Sequence, residues 1–158
     1  MTPIEDKSQA GAWTRGEFTI STNQELFDFP QIHGFIARQS YWAPEIPMAI
    51  LRKSIAHSLS FGLFHGKRQI GIARVVTDYT TFGYLADVFI DETYRGQGLG
   101  KWLMACILGH PELQGFRRWM LATRDAHGLY QQFGFTPLKK PETIMEKHNP
   151  DAYTTVER

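Results

Sequence analysis

Tyr94-Arg95-Gly96-Gln97-Gly98-Leu99-Gly100-Lys101 decides the reading of this chain. Three glycines alternate with side-chain-bearing residues, after an apolar run and before an amphipathic one. Glycine lets the backbone turn tightly and approach a ligand closely. The amides that open the following helix point outward, and the helix dipole favours an anion at that end. Arg95 and Lys101 add positive charge at the two ends of the loop. The segment reads as a cradle for phosphates.

Two phosphate loops of known spacing do not fit it. A P-loop needs a glycine, four residues, then Gly-Lys-Ser/Thr. Here Gly100-Lys101 is followed by Trp102, and Arg95 stands where the first glycine belongs. The hydroxyl that would hold magnesium is missing, which argues against nucleotide hydrolysis. The dinucleotide fingerprint needs a glycine or alanine three residues after its second glycine. Lys101 or Leu103 occupies that place, depending on whether Gly96 or Gly98 starts the pattern.

The flanks of the loop predict a mixed α/β class. Residues 84–90 form a nearly all-apolar run, which predicts a central strand. Leu99, Trp102, Leu103, Cys106 and Ile107 fall at spacings of three and four, a helical stripe that Gly109 and Pro111 end. Residues 118–123 read as a fourth core strand. Ala126, Leu129, Tyr130 and Phe133 mark one face of a short helix that Gly134 terminates, and 135–138 reads as a strand after it. Upstream, strands over 61–65 and 69–78 flank a Gly66-Lys67-Arg68 turn. Before them come helices over 23–39 and 47–57, joined by a loop that holds Tyr41 and Trp42. Phe18 and Ile20 suggest a short strand, and residues 1–12 read as a loose tail.

The 158 residues suit one domain over 1–158 with a sizeable core. A formal net charge of +1 gives no bulk attraction to nucleic acid or to a membrane surface. The polar N-terminus lacks an apolar signal core, and the single cysteine, Cys106, fits a reducing compartment. A cytoplasmic protein is expected. Cys106 lies on the apolar stripe and reads as a buried structural thiol. The six histidines show no metal-ligand spacing, so no metal is expected. No Gly-x-Ser-x-Gly supports a hydrolase triad. His127 at a helix start and Arg117 and Arg118 at a strand edge read as solvated groups. Asp87 is the leading candidate for a general base, because a carboxylate in an apolar strand is costly without a partner or a task. Its other reading is a structural hydrogen bond to a neighbouring loop.

The spacing Arg95-x-x-Gly98-x-Gly100, directly after a strand, resembles the acetyl-CoA loop of the GNAT superfamily, the Gcn5-related N-acetyltransferases. Thirty residues after Gly100, Tyr130-Gln131-Gln132-Phe133-Gly134-Phe135 is similar to the Tyr-x-x-x-Gly-Phe element of that family. The resemblance covers roughly residues 62–138. It implies an α/β (α+β) fold with a mostly antiparallel central sheet, flanked by helices, whose central strands splay. It implies acetyl-CoA as cosubstrate, with its pyrophosphate on Arg95, Gly96, Gln97, Gly98, Leu99, Gly100 and Lys101. The pantetheine arm would lie along Val88, Phe89 and Ile90, between strands 84–90 and 119–123. Tyr130 would be the general acid for the departing sulfur, since a phenol of ordinary pKa near 10 stays protonated at pH 7. Asp87 would help the amine lose its proton, or a water chain ending at Asp87 or Asp125 would carry it. Thr123 replaces the family's frequent asparagine seven residues before the tyrosine, where it would touch the cofactor or cap the next helix. The implied activity is direct acetyl transfer to a primary amine of a small molecule, peptide or protein. A non-catalytic acyl-CoA-binding module, or transfer of a longer acyl group, would use the same loop. A homodimer is a further expectation, and acceptor sites in this family are built from the early helices and loops.

Overall fold

Gly66 and Lys67 separate two apolar runs, so the chain folds back there into an antiparallel pair. The sheet grows from that pair in the computed structural model, which describes residues 5–6 and 11–154. Strands β1 (Glu5–Asp6), β2 (Ala12–Arg15), β3 (Phe18–Ser21), β4 (Leu59–His65), β5 (Arg68–Thr77), β6 (Phe82–Ile90) and β7 (Arg118–Leu121) lie in one seven-stranded sheet in chain order. All pairs are antiparallel except β6–β7, which is parallel. A parallel pair needs a crossover, and the helix α3 (Leu99–Leu108) supplies it.

Each face of the sheet carries its own apolar cluster. On one face α3 buries Leu99, Trp102, Leu103, Met104, Cys106 and Ile107 against Phe61, Leu63, Val75 and Leu85. Each large side chain so buried contributes roughly 1.5–3 kcal/mol. On the other face α1 (Phe29–His33) and α2 (Met48–Ala56) pack Ile32, Leu51 and Ile55 on Phe64, Ile72 and Phe89. The short helix α4 (His127–Gln131) joins the α3 face through Tyr130. Burial raises the Cys106 thiol to about 12, so it stays protonated inside the core.

Several expectations are corrected. Residues 23–39 do not form one helix. They divide into a 3-10 turn (Gln24–Leu26), α1 capped by the Asp28 carboxylate, and a wider π segment (Gly34–Gln39). Pro30 fits only the first turn of a helix, and Gly34 stands where the winding changes. The loose-tail reading of 1–12 lies largely outside the described residues, although Glu5–Asp6 pair with β2 and Ala12 opens it. The run 84–90 belongs to β6, which is next to the edge of the sheet rather than central. Strand 118–123 stops at Leu121, and β7 is a half-exposed edge rather than a core strand. Residues 135–138 form no strand. A cavity of about 640 Å³ separates them from β7, and Pro137 lacks the N–H a ladder would use.

Candidate active site

The parallel β6–β7 ladder runs from Phe82–Arg118 to Leu85–Leu121 and stops there. Beyond it, β6 continues to Ile90 with no strand on that edge among the described residues. The register of β5 and β6 shifts between Ile72 and Arg74, so β6 carries an extra residue there. Asp87 absorbs it with φ +54°, a left-handed conformation that aspartate tolerates better than most residues. The shift changes facing. Leu85 packs toward α3, and so do Val88 and Ile90, although an even spacing would be needed in a regular strand. Phe89 turns its ring to the opposite face, stacked on Phe35 at 4.8 Å. Asp91 donates its N–H to the Ile70 carbonyl at 2.7 Å. By the alternation of an antiparallel ladder, Ile90 and Val88 then direct their main-chain groups into the gap. A cavity of about 650 Å³ fills that gap.

At one end of the gap lies the glycine loop. Gly96 and Gly98 have φ of +81° and +82°, conformations that suit glycine. A Cβ at either position would meet nothing within 4 Å, so the space beside them is open. Gly98 is the N-cap of α3 and has no side-chain cap. The amides of Gly96, Gln97 and Gly98 have no hydrogen-bond partner among the described residues. Those of Leu99, Gly100 and Lys101 lie in the first turn of α3, where a helix leaves its N–H groups unpaired. Arg95 folds back from the loop. Its Nε donates to the Ile90 carbonyl at 2.8 Å and its guanidinium lies 5.2 Å from the Phe89 ring centre. Lys101 is exposed. The loop therefore presents unpaired N–H groups and a cation to open space, which suits a diphosphate.

Tyr130 stands midway. Gly134, at φ +90°, turns the chain back so that Phe135 donates its N–H to the Tyr130 carbonyl at 3.2 Å. This closes α4 in the manner of a Schellman turn. The Phe135 ring then meets the Tyr130 ring edge-on at 6.0 Å. The Gly-Phe pair after the tyrosine thus fixes its ring, which is only 8% exposed. Burial, with the nearby Tyr41 and Asp125, pushes the Tyr130 phenol up to about 12. It remains a proton donor at any physiological pH. The start of α3 is its neighbour, since a Cβ on Gly100 would lie 3.7 Å from Leu129.

Side chains make the other end. Asp87 accepts from Trp42 Nε1 at 2.8 Å through one oxygen and from Arg74 Nε at 2.9 Å through the other. Both members of the ion pair are mostly buried. Of its two readings, a bond to a neighbouring loop is the one observed. Each of its oxygens thus accepts from one donor, which ties the carboxylate to both the loop and β5. Tyr41, next in the same loop, accepts the Arg124 amide N–H at 2.7 Å, and the Arg124 guanidinium covers its ring at 3.9 Å. One loop therefore ties both lips of the gap, β6 through Trp42 and the exit of β7 through Tyr41. Thr123 lines the cavity, but its Oγ1 accepts from the amides of Asp125 and Ala126. It shapes the turn into α4. Asp125 also lines the cavity and is exposed, as is His127 outside it. Arg74 and Tyr153 line the cavity and were not foreseen. Arg74 reads in the sequence as one polar residue of an alternating strand. Tyr153 lies far from every motif.

Residues 21–135 match the model of the Acetyltransferase (GNAT) family. A Gibberella zeae protein that carries an acetyltransferase name is 31% identical over 140 residues, which cover 75% of this chain and 78% of that protein. A Xanthomonas campestris crystal structure, described as belonging to the GNAT family, is 46% identical with a TM-score of 0.84, over 87% of this chain and 97% of its own. A Clostridium acetobutylicum structure solved with acetyl-CoA shares the fold at a TM-score of 0.61 and 12% identity, over 83% of this chain and 94% of that one. With the splayed strands and the loop before α3, these matches make the chain a member of the GNAT acetyltransferase family.

Proposed function

We propose that the chain transfers an acetyl group from acetyl-CoA directly to a primary amine. One observation carries this reading: the free edge of β6 leads directly into the unpaired amides that open α3, and the cavity beside that edge is lined by the Tyr130 phenol. Acetyl-CoA would supply an acyl group activated as a thioester. The amides of Gly96 to Gly98 and the first turn of α3 bind its diphosphate, with Lys101 beside them. The main-chain groups of Val88 and Ile90 hold the pantetheine arm as a strand would be held. Arg95 occupies the Ile90 carbonyl and not its N–H, so the N–H of Val88 or of Ile90 polarises the thioester carbonyl. Tyr130 gives its proton to the sulfur as the carbon–sulfur bond breaks. The amine nitrogen forms the new bond to carbon and loses its proton to water near Asp125. Asp87 acts through its partners, holding Arg74 and Trp42 as the wall against which the amine rests.

The test is calorimetry with CoA and acetyl-CoA, followed by a panel of primary amines in which free thiol is monitored. Binding with thiol release that depends on the amine supports the proposal. Binding without thiol release across the whole panel makes the chain an acyl-CoA-binding module. Absence of binding removes the reading altogether.

A further inference from the structure

Residues 136–151 are exposed without exception, and Met145 within them is 92% exposed. Their hydrogen bonds are local, such as Thr143 to Lys140 and Thr154 to Asp151. Among the described residues no hydrogen bond ties 136–154 to the body of the protein. Ile144 lies at the cavity beyond β7. Nine residues later Tyr153 lies in the cavity between β6 and β7. The ring is half-buried and packs on the α1–α2 cluster beside Ile50, and it faces the same space as Trp42, Ser54 and Arg74. The chain thus crosses from one cavity to the other as an exposed strap and ends in a single aromatic anchor.

We infer that Tyr153 is a removable wall of the acceptor end of the cavity and sets the bulk of the amine admitted there. This rests on the acetyltransfer reading above. Among the described residues this ring is held by packing alone, at the end of a strap without hydrogen bonds to the body, and such a segment opens more readily than a paired strand or a packed helix. With the ring in place, the space between Trp42 and α2 is narrowed. The cavity already reaches Ile46, just before α2, and Ile50 on it, so loss of the ring widens it along an apolar wall, which favours an amine carrying a bulky apolar group. The cofactor end shares no residue with this wall, so the two properties separate.

The experiment compares the parent, Tyr153→Ala, Tyr153→Phe and a chain ending at Pro150. Kinetics with butylamine and 2-phenylethylamine at saturating acetyl-CoA are combined with calorimetry of both amines on the CoA complex. Tyr153→Ala and the shortened chain should raise the preference for 2-phenylethylamine over butylamine, in kcat/KM, by at least about tenfold. Most of that change should lie in KM and be matched in the calorimetric affinities, while Tyr153→Phe keeps the parent's preference. In a parent that binds acetyl-CoA, no gain by Tyr153→Ala, in kinetics or in amine affinity, overturns the assignment. A parent that fails to bind acetyl-CoA overturns the acetyltransfer reading instead, and the two failures are thus distinguished.

Discussion

At the start of α3 the chain offers main-chain amides, while across the same gap the wall is made of the side chains of Trp42, Arg74, Asp87 and Tyr153. The first end depends on backbone conformation, set by Gly96 and Gly98 at positive φ. The second depends on pairings between distant parts of the chain, Trp42 with Asp87 and Tyr41 with Arg124. A backbone cradle tolerates change in every side chain around it. A side-chain wall changes with each substitution.

The largest expected effect lies at the junction of the two ends. Tyr130→Phe should lower kcat by about 10²- to 10⁴-fold, with acetyl-CoA affinity by calorimetry nearly unchanged. A loss of affinity with kcat intact would move Tyr130 into the cradle. At the side-chain end, Arg74→Met leaves the mostly buried Asp87 carboxylate without its cation. It should lower stability by about 2–3 kcal/mol, read as a fall in the urea midpoint with an unchanged slope. An unchanged midpoint would show that the ion pair adds nothing to the wall. At the backbone end two glycines should part company. Gly98→Ala forces a side chain into left-handed backbone and should cost roughly 1–2 kcal/mol, with weaker CoA binding. Gly100→Ala meets only ordinary contacts to Ile90 and Leu129, and in the first turn of α3 it should stabilise the protein by up to about 1 kcal/mol. Equal effects at both positions would remove the distinction.

The smallest effect lies outside the gap and serves as its control. His110 is buried, and burial lowers its pKa; its Nδ1 accepts the Glu112 N–H at 3.0 Å, so the folded state needs the ring neutral. Below the ordinary histidine value of about 6.5 the unfolded chain binds a proton that the folded chain resists. Stability should therefore fall as pH drops through that range, and His110→Asn should flatten the slope in pH-dependent denaturation. A slope unchanged by the substitution would clear His110 of the effect.

What could be read in the sequence follows the same division. The stripe of α3, the β4–β5 hairpin and the two glycine elements rest on local spacing, and local spacing is visible in a chain. The wall is formed by contacts such as Tyr41 with Arg124 and Trp42 with Asp87, between residues far apart in sequence. No periodicity announces those. Asp87 was noticeable as a charge in an apolar run, but its partner Arg74 reads as an ordinary outward residue of β5. The sequence shows no sign of β2 beyond the Ala12 that closes the expected tail, because Ala12–Arg15 is too short to show alternation. The strand expected at 135–138 failed for a non-local reason, since a strand needs a neighbour and the space beside β7 is a cavity.

The order of strands in the sheet repeats the order along the chain. During synthesis, each strand can therefore dock on the one made before it, and none has to thread between two that are already paired. Two strands must wait for helices between them and their neighbour, β4 for α1 and α2 and β7 for the crossover through α3. The cleft is thus built from the two strands that come last in the chain, on a sheet whose other strands have all been made before them.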